Sequence, residues 1–184
     1  MAEWKNKRKV IRRYDLTADI YEERYGEEQR AKYGAALDSL KMGGGEVLDV
    51  GCGTGLFFNH VAACARVVVG IDISRKLLLK ANKEAKKKGN LFVLQADADY
   101  LPFKKGSFEA VFAFTVLQNM PQPSKTLQEF KRVAKQNGNI VVTGLKKIFR
   151  LDKFMELLEG TSLRVASFVD IENLKCYVAV LEAN

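Results

Sequence analysis

The segment Val47-Leu48-Asp49-Val50-Gly51-Cys52-Gly53-Thr54-Gly55 runs from a short apolar stretch into three glycines at alternate positions. It reads as a strand that ends in a tight loop and leads into a helix. Glycine takes backbone conformations closed to other residues and lets the chain approach a ligand closely. In doubly wound α/β folds such a loop lies at the carboxyl ends of the strands, where nucleotides bind. The spacing is G-x-G-x-G. A dinucleotide fingerprint has G-x-G-x-x-G, and Leu56 stands where its last glycine would be. Asp49, entering the loop, repels a pyrophosphate but suits a ligand that carries positive charge.

Outward from this loop, strand and helix patterns alternate. Residues 1–40 read as helical, with Tyr14, Leu16, Ile20, Tyr21, Tyr25, Tyr33 and Leu37 compatible with amphipathic helices. Gly43-Gly44-Gly45 closes that segment. Strands are expected at 46–50, 66–73, 91–95, 108–114 and 139–143, and helices at 56–65, 75–88, 124–136 and 151–158. Two more strands, 162–170 and 175–181, follow with no helix between them. This alternation predicts an α/β fold: a doubly wound, mostly parallel seven-stranded sheet with an antiparallel hairpin at one edge. The apolar run from Tyr177 to Leu181 is either an internal strand or an association edge. Residues 1–184 read as a single domain, with 1–40 as a helical cap over the loop.

Two acidic positions accompany the glycine loop. Asp72 ends the second strand about 20 residues beyond Gly51, where a carboxylate accepts the hydroxyls of a ribose. After the third strand, Ala96-Asp97-Ala98-Asp99-Tyr100-Leu101-Pro102-Phe103 offers a carboxylate to the amino group of an adenine and a backbone N–H to its ring. In this order and spacing, these elements resemble the class I S-adenosylmethionine-dependent methyltransferases, and most of all the small branch with ubiquinone/menaquinone-type enzymes. VLDVGCGTG (47–55), GIDIS (70–74), the run 96–103 and the run 108–119 are similar to four motifs of that family.

The resemblance covers roughly residues 40–145 and implies a Rossmann-like methyltransferase fold with S-adenosylmethionine as cofactor. It assigns Asp49, Gly51, Cys52, Gly53 and Gly55 to the methionine part. Asp72 falls to the ribose, Ile73 packs on the adenine, Asp97 and Ala98 read the adenine edge, and Phe114 and Thr115 line the methionine side. The run from Tyr14 to Tyr21 resembles the family's leading helix and lays Tyr14 over the cofactor. The chain departs from the family in having Glu109 where Asp is usual and Gln118 where His is frequent.

Methyl transfer from a sulfonium is an in-line displacement that needs alignment above all. A base is required only when the nucleophile holds its proton tightly. The catalytic candidates are Gln118 and Asn119, orienting a polar acceptor, with loop capping as the alternative. Tyr21 could position or deprotonate the acceptor, with packing as the alternative. The single histidine, His60, lies after the glycine loop and reads as solvated. No Asn/Asp-Pro-Pro-aromatic motif follows the fourth strand, and no cysteine stands near 110–125. That disfavours amine methylation of adenine or glutamine, and covalent attack on a pyrimidine ring. Cys52, Cys64 and Cys176 are too scattered for a disulfide framework or a zinc site, so no metal is expected.

The formal charge of +8 favours an anionic partner, with nucleic acid first. Lys5, Lys7, Arg8, Lys9, Arg12 and Arg13 form a basic arm, and Lys146, Lys147 and Arg150 follow the fifth strand. Both groups would flank the mouth of the site. Lys83, Lys86, Lys87 and Lys88 end a helix, where cations suit the dipole. On charge, RNA or another translation component leads as acceptor. The quinone-type resemblance favours a small molecule, and a non-catalytic binding subunit with the cofactor fold is the third reading. A small zinc-binding activating protein is a candidate partner by fold-level analogy. The basic N-terminus lacks the apolar core of a secretion signal, and the apolar stretches are too short to span a bilayer. A cytoplasmic location is therefore expected.

Overall fold

The computed structural model describes residues 2–184. Helix α1 (Ala2–Thr17), a 3-10 turn at Ala18–Ile20 and helix α2 (Tyr21–Leu37) precede the sheet. The sheet strands are β1 (Glu46–Val50), β2 (Val67–Asp72), β3 (Leu91–Gln95), β4 (Phe108–Ala113), β5 (Ala134–Leu145), β6 (Arg164–Val169) and β7 (Cys176–Glu182). Between them lie α3 (Phe58–Val61), α4 (Arg75–Ala85), α5 (Pro123–Val133) and α6 (Leu151–Glu159).

The strand order is β3-β2-β1-β4-β5-β7-β6. The first five of these pair in parallel, and β7 runs antiparallel to both β5 and β6. The seven-stranded α/β sheet with an antiparallel edge hairpin is thus present. The run Tyr177–Leu181 is internal: Leu181 faces Ile140 on one side and Val165 on the other.

Strands covered on both faces become continuously apolar. Leu48, Val111 and Ile140 pack beneath α5 and α6, against Leu127, Phe130, Phe154 and Leu158. Val47, Ala110, Phe112 and Val141 face the opposite layer, against Tyr33, Phe57, Phe58, Val61 and Ala81. Pro123 begins α5 at a position where its missing N–H is no loss. The Ser74 side chain caps α4 by accepting from Leu77 N at 3.2 Å. No helix among the described residues is long and apolar enough to cross a membrane.

Two elements differ from expectation. The helix expected at 56–65 contracts to Phe58–Val61, because its flanks are wound by three-residue hydrogen bonds: Phe58 N to Gly55 O, His60 N to Phe57 O and Cys64 N to Val61 O. The helix expected to reach Gln136 stops at Val133, and β5 begins at once. Asn137 adopts a left-handed φ of 61° and donates to Ala183 O at 2.6 Å, so the turn is closed by the last strand's exit. Four residues thereby bulge opposite Glu109 before the β4–β5 ladder resumes at Ala110 and Asn139.

The Phe154 ring lies flat over Gly144, where a methyl group would stand 2.7 Å from it, and stacks on Tyr177 at 5.7 Å. Because Phe154 is fully buried, Phe154→Ala should lower stability by about 3–5 kcal/mol in urea unfolding. An unchanged midpoint would show that the α6 layer does not anchor this edge.

Candidate cofactor and acceptor site

Strand order reverses between β1 and β4, which leaves a crevice at their carboxyl ends. The loop after β1 folds over this crevice. Gly51 and Gly53 hold φ values of 70° and 58°, in the left-handed region that side chains resist. A Cβ on Gly53 would also stand 3.4 Å from the Tyr21 ring. Cys52 N donates to Ile71 O at 2.9 Å, stitching the loop to β2. Gly53 N and Ser74 N donate to the Asp72 carboxylate at 3.0 and 2.8 Å.

After β4 the chain turns through Thr115 at φ 63°, an unusual conformation for a β-branched residue. Thr115 N donates to Thr143 Oγ1 at 2.7 Å, and Thr115 O accepts from Gln118 Nε2 at 2.7 Å and Asn119 Nδ2 at 2.9 Å. Strain of this kind is held only where surrounding contacts fix it, and it gathers at functional sites.

These loops border a cleft with about 680 Å³ of empty space, open solvent included. Of the sequence-derived residues, Tyr14, Tyr21, Gly51, Asp72, Ile73, Asp97, Ala98, Phe114, Thr115 and Asn119 line it. Asp49, Cys52, Gly53 and Gly55 stand behind the lining, buried within the loop. Gln118 lines a second, larger cleft of about 1370 Å³. The two clefts share Tyr14, Tyr21, Thr115 and Asn119 as a common wall. His60 is exposed on the outer side of α3. Among the described residues, no His, Cys, Asp and Glu group is arranged to hold a metal ion.

Two carboxyl groups, Asp49 and Asp72, are buried beneath the first cleft. Burial, and then the neighbouring Asp72, push Asp49 up to about 8. Burial pushes Asp72 up to about 6, against the opposing hydrogen bonds from Ser74, Gly53 and Ile73. Asp49 Oδ2 is buried with no hydrogen-bond partner. Burial likewise drives the Tyr21 hydroxyl far above its ordinary range, while its oxygen accepts from Gln29 Nε2 at 3.3 Å.

The side chains that sequence reasoning missed lie on the N-terminal helices. Lys7 was assigned to the basic arm, yet it is buried. Its Nζ meets both oxygens of Asp97 at 2.7 Å and Asp99 Oδ2 at 2.5 Å. Burial opposes its charge, but hydrogen bonds and attraction from Asp97 and Asp99 outweigh that and raise its pKa. Arg13, also from the arm, donates to Asn119 Oδ1 at 2.6 Å. Spacing could have found this face: Lys7, Val10 and Tyr14 lie at i, i+3 and i+7 on α1 and all enter the first cleft. Likewise Tyr21, Tyr25, Glu28 and Lys32 form one stripe of α2 that lines the second.

A methyltransferase domain model matches residues 48–142, just over half of the chain. The chain belongs to the S-adenosylmethionine-dependent methyltransferases. The ubiquinone/menaquinone biosynthesis C-methyltransferase UbiE of Rhizobium etli is 34% identical to this methyltransferase over 146 residues, 76% of the chain and 57% of that protein. The malonyl-acyl-carrier-protein O-methyltransferase of Legionella pneumophila is 28% identical over 180 residues, 92% of the chain and 62% of that protein. The chain therefore spans less than two thirds of the length of these relatives. Magnesium protoporphyrin IX methyltransferase of Synechocystis, solved with bound S-adenosylmethionine, superimposes with a TM-score of 0.79 over 97% of each chain at 17% identity, which shows the shared fold.

The raised pKa values of Asp49 and Asp72 have a defined sign. The folded methyltransferase holds these protons more tightly than the unfolded chain. Their contribution is complete below the unfolded value of 3.8 and is lost as pH rises through about 6 and about 8. Asp49→Asn should therefore gain stability relative to the parent on going from ~pH 5 to ~pH 9, on the order of 2 kcal/mol in chemical denaturation. Parallel pH profiles would show that Asp49 is not held protonated by its surroundings.

Proposed function

We propose that this chain transfers the methyl group of S-adenosylmethionine in line to a small-molecule acceptor seated in the second cleft. The observation that carries this reading is the common wall: Tyr14, Tyr21, Thr115 and Asn119 border the crevice at the strand ends on one side and a second, larger cleft on the other. When bound, the cofactor supplies an electrophilic methyl group on a sulfonium.

The residues present fit that cofactor. Asp72 keeps lone pairs free of its backbone donors and would accept the ribose hydroxyls. The buried, unpartnered Oδ2 of Asp49 lies under the loop that would hold the methionine part, and an ammonium group bound there would favour its ionised form. Ile73, Asp97 and Ala98 would take the adenine, and Phe114 and Thr115 would line the methionine side. Residues 1–40 serve as the cap of a single domain. Tyr21 stays protonated at neutral pH, so it positions and excludes water. Gln118 and Asn119, both anchored on Thr115 O, orient the acceptor.

A small acceptor is supported by the relative whose name concerns ubiquinone/menaquinone biosynthesis, while the other relative's name has a malonyl group carried on acyl-carrier protein. The RNA reading rests on the basic arm. One of its cations, Lys7, is buried against Asp97 and Asp99, and Arg13 donates to Asn119 while staying exposed, as Lys5, Arg8, Lys9 and Arg12 do.

Incubation of the chain with methyl-labelled cofactor and a fractionated lysate should place label in the small-molecule fraction. Nuclease-sensitive label would move the acceptor to RNA. Asp72→Ala should weaken cofactor binding by about 1–3 kcal/mol in calorimetry, through lost charge-assisted hydrogen bonds. Unchanged affinity would remove Asp72 from the ribose.

A further inference from the structure

The second cleft is strongly positive. Arg13, Arg24, Lys32, Lys146, Lys147 and Lys175 line it against one lining carboxylate, Glu28, and Lys146 is also paired with Asp170 at 2.7 Å. Glu28 is itself taken, by Lys32 at 2.8 Å and Lys175 at 3.3 Å. Burial would raise its pKa, but the hydrogen bond and charge of Lys32 and then of Lys175 outweigh burial and lower it. The only carboxylate in the cleft is thus a weak proton acceptor. Tyr21 keeps its proton, His60 is outside, and Asp49 and Asp72 do not line this cleft. The remaining ionisable groups are cations or the tyrosines Tyr14 and Tyr25.

A cleft that attracts anions and offers no base is suited to a nucleophile that arrives already deprotonated. Lys32 stands at the seam between the two clefts. It is 2% exposed, and its Nζ lies 3.1 Å from Thr115 Oγ1 in the common wall and 3.4 Å from Gln29 Oε1. The long contact to Gln29 is the one that a stronger acceptor would replace.

We infer that the acceptor is a small organic acid whose carboxylate, held through one oxygen by Lys32, takes the methyl group on the other to give a methyl ester. This rests on the small-molecule reading above. The O–CH3 bond forms as the S–CH3 bond breaks, and the electron pair of that bond stays with sulfur. The carboxylate and sulfonium charges cancel, and no proton is moved. Lys147 and Lys175, exposed at the rim, raise the local concentration of the acid without touching the reacting atoms.

The test uses the intact chain, tritium-labelled methyl donor and a low-molecular-weight cell extract, followed by alkali and distillation. Release of the label as volatile methanol is the expected result. Label that stays in small molecules after alkali would overturn the ester and leave the small-molecule reading standing. Label confined to RNA or protein, or no transfer at all, would overturn that reading together with the ester. Lys147→Ala with Lys175→Ala should raise the extract concentration for half-maximal labelling about tenfold while the maximal rate changes less than about threefold, as for binding shared by ground and transition states. An unchanged half-maximal concentration would overturn the anionic acceptor without depending on the buried Lys32.

Discussion

The hydrogen bond from Gly53 N–H to the Asp72 carboxylate joins the loop after β1 to the end of β2, and the site depends on it. It forms because the backbone at 51–55 bends through conformations that only glycine takes easily. It fixes the position of Asp72, but it draws a carboxylate into the interior beside Asp49. Buried charge is unfavourable without partners, and both groups answer by holding protons more tightly. The free protein therefore carries a local electrostatic tension that a cationic ligand would relieve.

Above this loop, α1 is held by polar contacts at both ends. Lys7 bridges Asp97 and Asp99, and Thr126 Oγ1 completes the Asp99 carboxylate at 2.5 Å. Ser74 Oγ donates to Asp15 Oδ1 at 2.6 Å, while Asn119 meets Arg13 and Tyr14. Each contact reaches a different strand end, so the helix registers the position of β2, β3 and β4 together. The tyrosines between these contacts form the apolar part of the wall, with Tyr14 and Tyr21 rings 6.2 Å apart.

Much of this was legible in the sequence because it depends on neighbours in the chain. The run Val47 to Gly55 displays its strand and turn directly, and buried parallel strands such as Val67 to Asp72 read as unbroken apolar runs. The place of Asp72 at the cleft is legible from its distance from the loop. That of Lys7 is not, since its partners are 90 and 92 residues away and a lysine on an exposed-looking helix carries no local mark of burial. The early start of β5 escaped for the same reason: the turn at Asn137 is closed by Ala183, from the far end of the chain. Lys32 sat in plain view on the α2 stripe, but its significance appears only once Thr115 is placed beside it.

The distant anchoring of α1 has a consequence for assembly. Contacts that close long loops form late, because the chain between them must first be ordered. The anchors of α1 lie 59, 90, 92 and 106 residues onward, on the ends of strands that need each other to exist. During synthesis the earliest helix of this chain must wait, unseated, until Asn119 has left the ribosome. A helix that lines the crevice is made before the strand ends that hold it and is set in place after them.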